Sequence, residues 1–142
     1  MIKQISVFLE NKSGRLAAVT KVLGLNDIDI SALSIADTTD FGILRLIVNK
    51  PDMAEKALNE NGFTVSITEV IAISIPDKPG GLATALEVLQ NESISIEYTY
   101  AFVGKREGEA LVILRTDNQQ KAMEVLKKNN IKVLTGEEVY SL

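Results

Sequence analysis

Glu10–Ile30 reads ENKSGRLAAVTKVLGLNDIDI, and Pro76–Ile96 reads PDKPGGLATALEVLQNESISI. Laid with Gly14 on Gly80, an offset of 66 residues, the two stretches superpose Leu16 on Leu82, Leu23 on Leu89, Ile28 on Ile94 and Ile30 on Ile96. Further along, Leu58 falls on Leu126, Asn61 on Asn129, Phe63 on Ile131 and Val65 on Val133, so the offset has grown to 68. The extra length falls in Gly104-Lys105-Arg106-Glu107-Gly108, a polar connection where added residues cost little. Similarity of this kind marks a duplicated, domain-sized unit, and it divides the chain into residues 1–68 and 69–142. Each copy has about 70 residues, marginal for burying a core alone, so the copies are expected to pack together or dimerise.

Working outward from the quoted stretch, Ile5, Val7 and Leu9 alternate before the polar Glu10-Asn11-Lys12-Ser13, which predicts a strand and a loop. Leu16, Val19, Thr20 and Leu23 then follow helical spacing, with Ser13 or Asn11 available as cap. Ile28, Ile30 and Ala32 open a second strand that continues through Leu33 and Ile35; Thr38-Thr39-Asp40 is a turn, and Ile43–Val48 a third strand. Pro51 opens a second helix with Ala54, Ala57 and Leu58 on its buried face, Gly62 stops it, and Phe63–Ile67 makes a fourth strand. The unit is βαββαβ, and the second copy repeats it. Such a unit closes into a ferredoxin-like sandwich, because both crossovers take the same hand. The predicted class is therefore α+β: two such units side by side, each an antiparallel sheet with helices on one face. Leu111-Val112-Ile113-Leu114 is apolar on both faces, which predicts that the helix-free face is covered. Glu137–Leu142 echoes the stretch after the first copy and reads as an added strand.

Composition excludes several kinds of chemistry. With no cysteine there is no disulfide or thiolate, and with no histidine the commonest general base and metal ligand is missing. The net charge of −4, with both signs interspersed, lacks the footprint of a nucleic-acid binder. No apolar run approaches the length of a membrane span, no leader is expected, and a cytoplasmic location is the default reading. Neither a Walker phosphate loop nor a dinucleotide fingerprint occurs. Asp27, Asp29, Asp37 and Asp40 cluster around one strand, but two carboxylates on a face are few ligands for a hard cation, so no metal site is assigned. Tyr98 and Tyr100 share a strand face and read as packing residues before base-stacking ones. The first strand-to-helix connection is the distinctive element. Glycine entering a helix exposes backbone N–H groups at the positive end of the dipole, suited to a carboxylate or phosphate. The plainer reading is a tight turn in which glycine supplies φ > 0.

With those residues in hand the chain resembles the ACT-domain family, small amino-acid-sensing regulatory modules. The likeness extends over nearly the whole sequence. Asp77-Lys78-Pro79-Gly80-Gly81-Leu82 matches the family's opening loop closely, and the first copy has Ser13 where proline is usual. The resemblance implies a non-catalytic, stand-alone tandem module that binds a free amino acid as effector between paired domains. It further implies a homodimer, an enzyme of amino-acid biosynthesis as a candidate partner, and no cofactor, nucleic acid or membrane. A ligand-independent subunit docking on such an enzyme is the alternative. Carried over, the contacts are Asn11, Ser13, Gly14, Arg15 and Leu16 in one loop and Asp77, Pro79, Gly80, Gly81 and Leu82 in the other. Backbone N–H groups of Gly14 to Leu16 would receive the carboxylate, and Asn11 or Asp77 the ammonium. Ile28, Ser31 and Ser34, or Ile96, Tyr98 and Tyr100, would line the side-chain pocket from a neighbouring strand. Arg15 and Gly81 differ, so one strong site and one weak or vacant site are expected, with either copy a candidate for the first.

Overall fold

The computed structural model describes residues 1–10, 12–37, 40–104 and 106–142. The chain runs β1 (Ile2–Glu10), α1 (Arg15–Leu25), β2 (Ile30–Asp37), β3 (Phe41–Val48), α2 (Pro51–Glu60) and β4 (Thr64–Pro76), then α3 (Gly81–Gln90), β5 (Ile96–Ala101), β6 (Glu109–Thr116), α4 (Gln119–Lys128), β7 (Lys132–Val133) and α5 (Gly136–Tyr140). Two compact units result: Lys3–Glu69 with Tyr140–Leu142, and Val70–Val139 with Met1–Ile2. Their boundary falls inside β4.

In the first unit the strands lie in the order β2-β3-β1-β4, which is the ferredoxin-like arrangement the element order predicts. The antiparallel register sets Ile5 opposite Leu46 and Val7 opposite Leu44, so the alternating residues of β1 and β3 share one face. That face meets α1 and α2 in a core of Ile5, Val7, Leu23, Leu44, Leu46 and Leu58, among others. In the second unit β5 lies beside β6, β6 beside the later half of β4, and β7 pairs with β4 as well. Ile71, Ile73, Leu89, Leu114 and Leu126 form the equivalent core. Burying each such Leu or Ile stabilises by roughly 1.5–3 kcal/mol.

The duplication persists in polar detail. In the first unit the Asp29 N–H donates to Asn49 Oδ1 at 2.9 Å and the Asn49 N–H to the Asp29 carbonyl at 3.2 Å. In the second, the Ser95 N–H donates to Asp117 Oδ1 at 3.0 Å and the Asp117 N–H to the Ser95 carbonyl at 3.1 Å. Asn61 and Asn129 likewise each donate through the side-chain amide to the carbonyl four residues back, at 2.7 and 2.8 Å.

Four sequence expectations need correction or completion. First, β2 and β5 each carry an irregularity, between Ile30 and Ala32 and between Ile96 and Tyr98. A bulge adds a residue and re-aims the side chains beyond it. Ile30 therefore packs on the helix-side core while Ala32, Ser34 and Ala36 pair with Ile47, Arg45 and Ile43 on the opposite face. Second, the N-cap of α1 is Gly14 and not Ser13, with no side-chain cap hydrogen bond among the described residues; Asn11, the other predicted cap, and the Thr38-Thr39 part of the predicted turn lie outside the described residues. Third, the C-terminal segment is the helix α5 and not a strand. Thr135 Oγ1 accepts from the Glu138 N–H at 3.2 Å and the Thr135 N–H donates to Glu138 Oε1 at 3.2 Å, a reciprocal capping box. Fourth, the helix-free face is buried at Ala32 and Ile47 in the first unit and at Ala72 and Ile113 in the second. It is open at Phe8 and Phe41, whose ring centroids stand 4.5 Å apart.

Both α1 and α3 begin on a left-handed glycine, Gly14 at φ 86°, ψ −5° and Gly80 at φ 85°, ψ −8°. These are the angles of the third residue of a type II turn, which an L side chain adopts only with strain. The next residue differs between copies. A Cβ on Gly81 would run into the Pro76 carbonyl oxygen, so only glycine lets α3 lie that close to the end of β4. Gly81→Ala is expected to lower unfolding stability by about 1–3 kcal/mol in urea titration, because backbone and not a flexible side chain must move. Thr135→Ala should cost about 1 kcal/mol in the same assay. The Thr135 N–H and then Lys132 hold the Glu138 carboxyl below its ordinary range. Its contribution is thus present above the unfolded-state pKa and lost as pH falls through the lower folded value. Thermal melts across that acid window should show a Glu138→Gln difference that vanishes at the acid end.

Candidate functional site

The strand-to-helix loop is built the same way in both copies. In the first, the Lys12 N–H donates to the Glu10 carbonyl at 2.8 Å, the Arg15 N–H to Lys12 at 3.3 Å and the Ala18 N–H to Gly14 at 2.9 Å. In the second, Lys78 donates to Pro76 at 2.9 Å, Gly81 to Lys78 at 3.0 Å and Thr84 to Gly80 at 3.1 Å. Pro79 occupies the turn position before the glycine, where its fixed φ suits the geometry, and Ser13 does the same without the ring. Because each N-cap is a glycine, no N-cap side chain fills the space before the helix. First-turn N–H groups of α1 and α3 therefore sit at the positive end of a dipole whose N-cap residue has no side chain.

Charge is arranged differently in the two loops. Lys12 Nζ lies 2.8 Å from Glu10 Oε2, and this partner holds the Glu10 carboxyl below its usual range. In the second copy Pro76 replaces Glu10, and Lys78 makes no ion pair among the described residues. Asp77 is exposed, and its N–H donates to the Gly108 carbonyl at 3.1 Å. Gly108, in the longer connection between β5 and β6, thus braces this loop.

The neighbouring surfaces differ as well. Arg15 lies across the first unit with its guanidinium carbon 4.5 Å from the centroid of the buried Phe63 ring, and its Nε is buried without a hydrogen-bond partner. In the second unit, Gly81 and Ile131 border a cleft of about 290 Å³ whose walls also include Lys78, Thr84, Asn129 and Asn130. The cleft lies between the start of α3, the end of β4 and the turn after α4. Sequence reasoning singled out Gly81 but missed the others. The repeat of Asn61 at Asn129, with its helix-stop glycine replaced by Asn130 at φ 61°, was the available signal.

Of the other residues picked from sequence, Ile28 is 5% exposed in the helix-side core, and Ile96 packs on the second core. Ser31 is half-buried at the β2 irregularity, Ser34 faces the helix-free side, and Leu16 and Leu82 are each 37% exposed on the loops' helical side. Tyr98 and Tyr100 share the helix-free face, with ring centroids 6.4 Å apart. The bulges therefore part Ile28 from Ser34 and Ile96 from the two tyrosines, while each loop's own residues stay together. Asn11 lies outside the described residues. Asp27 Oδ2 lies 3.6 Å from Lys50 Nζ, and the Asp29 backbone pairs with Asn49. No cluster of three or more acidic side chains able to hold a metal occurs among the described residues. No helix there is long and apolar enough to cross a membrane.

A protein of Bacteroides thetaiotaomicron has a crystal structure that matches at TM-score 0.93 and 48% identity, over 99% of this chain and 96% of that one. The regulatory subunit of aspartate kinase from Thermus thermophilus, in its ligand-free form, matches at TM-score 0.64 and 16% identity, over 89% and 90% of the two chains. Aspartate kinase from Synechocystis matches at TM-score 0.56 and 18% identity, over 90% of this chain and 24% of that one. At these identities the two kinase matches establish a shared fold. No curated protein matches the sequence. The family model of the ACT domain pair matches residues 1–142, and with the duplicated βαββαβ units and paired glycine loops already described, the chain belongs to the ACT domain pair family.

Proposed function

We propose that the protein is a non-catalytic regulatory sensor that binds a free amino acid at a strand-to-helix loop. The observation that carries this reading is the repeated glycine turn, which leaves a helix N-terminus without an N-cap side chain beside a polar wall, in a chain that is an ACT domain pair throughout. Such a terminus favours a carboxylate, and a nearby side-chain oxygen favours an ammonium group. Asp77, or Asn11 in the other copy, supplies that oxygen, and the second strand of a neighbouring ACT domain completes the shell. In this reading the protein works in the cytoplasm as a homodimer. Its target is an enzyme of amino-acid metabolism, a direction that the aspartate kinase regulatory subunits of the same fold support. The effector acts by binding one arrangement of the protein better than another.

The test is a thermal-shift screen of the full chain against the proteinogenic amino acids, one at a time, with Asn11→Ala and Asp77→Ala variants alongside. One or a few amino acids should raise the melting temperature by several degrees, since a ligand at 100 times its Kd adds about 2.7 kcal/mol. The rise should be lost in one of the two variants. A flat screen overturns the sensor reading.

A further inference from the structure

We infer that the two copies differ in occupancy: the cleft of the second unit takes the amino acid, and the matching place in the first is closed by the chain's own Arg15. This rests on the sensor reading above and adds where the ligand sits and why one copy alone holds it.

Equivalent positions carry the argument. Gly81 and Ile131 border an open cleft of about 290 Å³, and the residues matching them in the first copy are Arg15 and Phe63. There the guanidinium lies 4.5 Å from the ring centroid. Arg15 Nε is buried without a partner, a cost of the order of a lost hydrogen bond that the cation–π contact offsets. A side chain held in that way serves to fill space. No such plug is available to the second copy, since a Cβ at position 81 would strike the Pro76 carbonyl.

Charge points the same way. Lys12 is neutralised by Glu10 at 2.8 Å, whereas proline at position 76 leaves Lys78, on the cleft wall, without an acidic partner among the described residues. The same cleft is lined by Thr84, Asn129 and Asn130, all neutral; the Thr84 hydroxyl donates to the Gly80 carbonyl and the Asn129 amide to the Val125 carbonyl, which leaves their oxygens as acceptors. A cation on a wall that also carries neutral side-chain oxygens suits a zwitterion, its carboxylate held by Lys78 beside the first-turn N–H groups of α3 and its ammonium by side-chain oxygens. The volume lies at the low end for small-molecule sites, which fits an amino acid and not a nucleotide.

The experiment is an amide NMR titration of the full chain with each proteinogenic amino acid singly, repeated on Lys78→Gln and Arg15→Gly. An amino acid that binds should shift Gly81, Thr84 and Asn130 and leave Arg15, Gly62 and Phe63 unmoved. Lys78→Gln should weaken it by about tenfold or more, as expected for loss of a hydrogen bond to a charge. Arg15→Gly should add shifts at Gly62 and Phe63 on top of those in the second unit. Wild-type shifts centred on Arg15 and Phe63, binding indifferent to Lys78→Gln, or no new shifts in Arg15→Gly would each overturn this inference while leaving the sensor reading standing. No binding by any amino acid would overturn both.

Discussion

One backbone constraint organises each copy: a residue with positive φ must join the first strand to the first helix. Gly14 and Gly80 meet it at nearly identical angles. A reversal this tight brings the helix back over the strand it has just left, so that Val19 and Leu23, or Ala85 and Leu89, reach the sheet. The second helix then fills what the first leaves uncovered. Because the constrained residue has no side chain, the helix begins without a cap of its own. A folding requirement and a helix start with no side chain at its N-cap thus have the same origin.

The fold was legible because its signals are local and stated twice. Helical spacing in Leu16–Leu23 and alternation in Ile43–Val48 need no knowledge of distant residues. The bulges at Ile30/Ala32 and Ile96/Tyr98 were not legible, since alternation through Ile28, Ile30 and Ala32 looks unbroken in one dimension. Their effect shows only when β3 and β6 supply the register. Nor did the sequence disclose that Arg15 stacks on Phe63, a contact between residues far apart in the chain whose partners' offsets differ between the copies. The final helix was readable, by contrast: Thr135-Gly136-Glu137-Glu138 spells a capping box, and the weaker echo of Thr68–Ile73 misled.

Duplication supplies its own control. Hydrogen bonds that hold the frame survive even where residues change, as when Asp29 and Asn49 become Ser95 and Asp117. Differences also change the loop and its wall: Glu10 against Pro76, Arg15 against Gly81, Phe63 against Ile131. Backbone geometry tolerates little drift, while side chains facing open space are free to diverge. Two loops of one shape can therefore carry different electrostatics.

The boundary between the units lies within β4, between Glu69 and Val70, with no spacer. A strand shared in this way has no loop of its own for an insertion to lengthen. Cutting there would turn one 13-residue strand into two frayed ends. The duplication that made this chain has thus left no linker between its halves: the last strand of one unit is the first strand of the next.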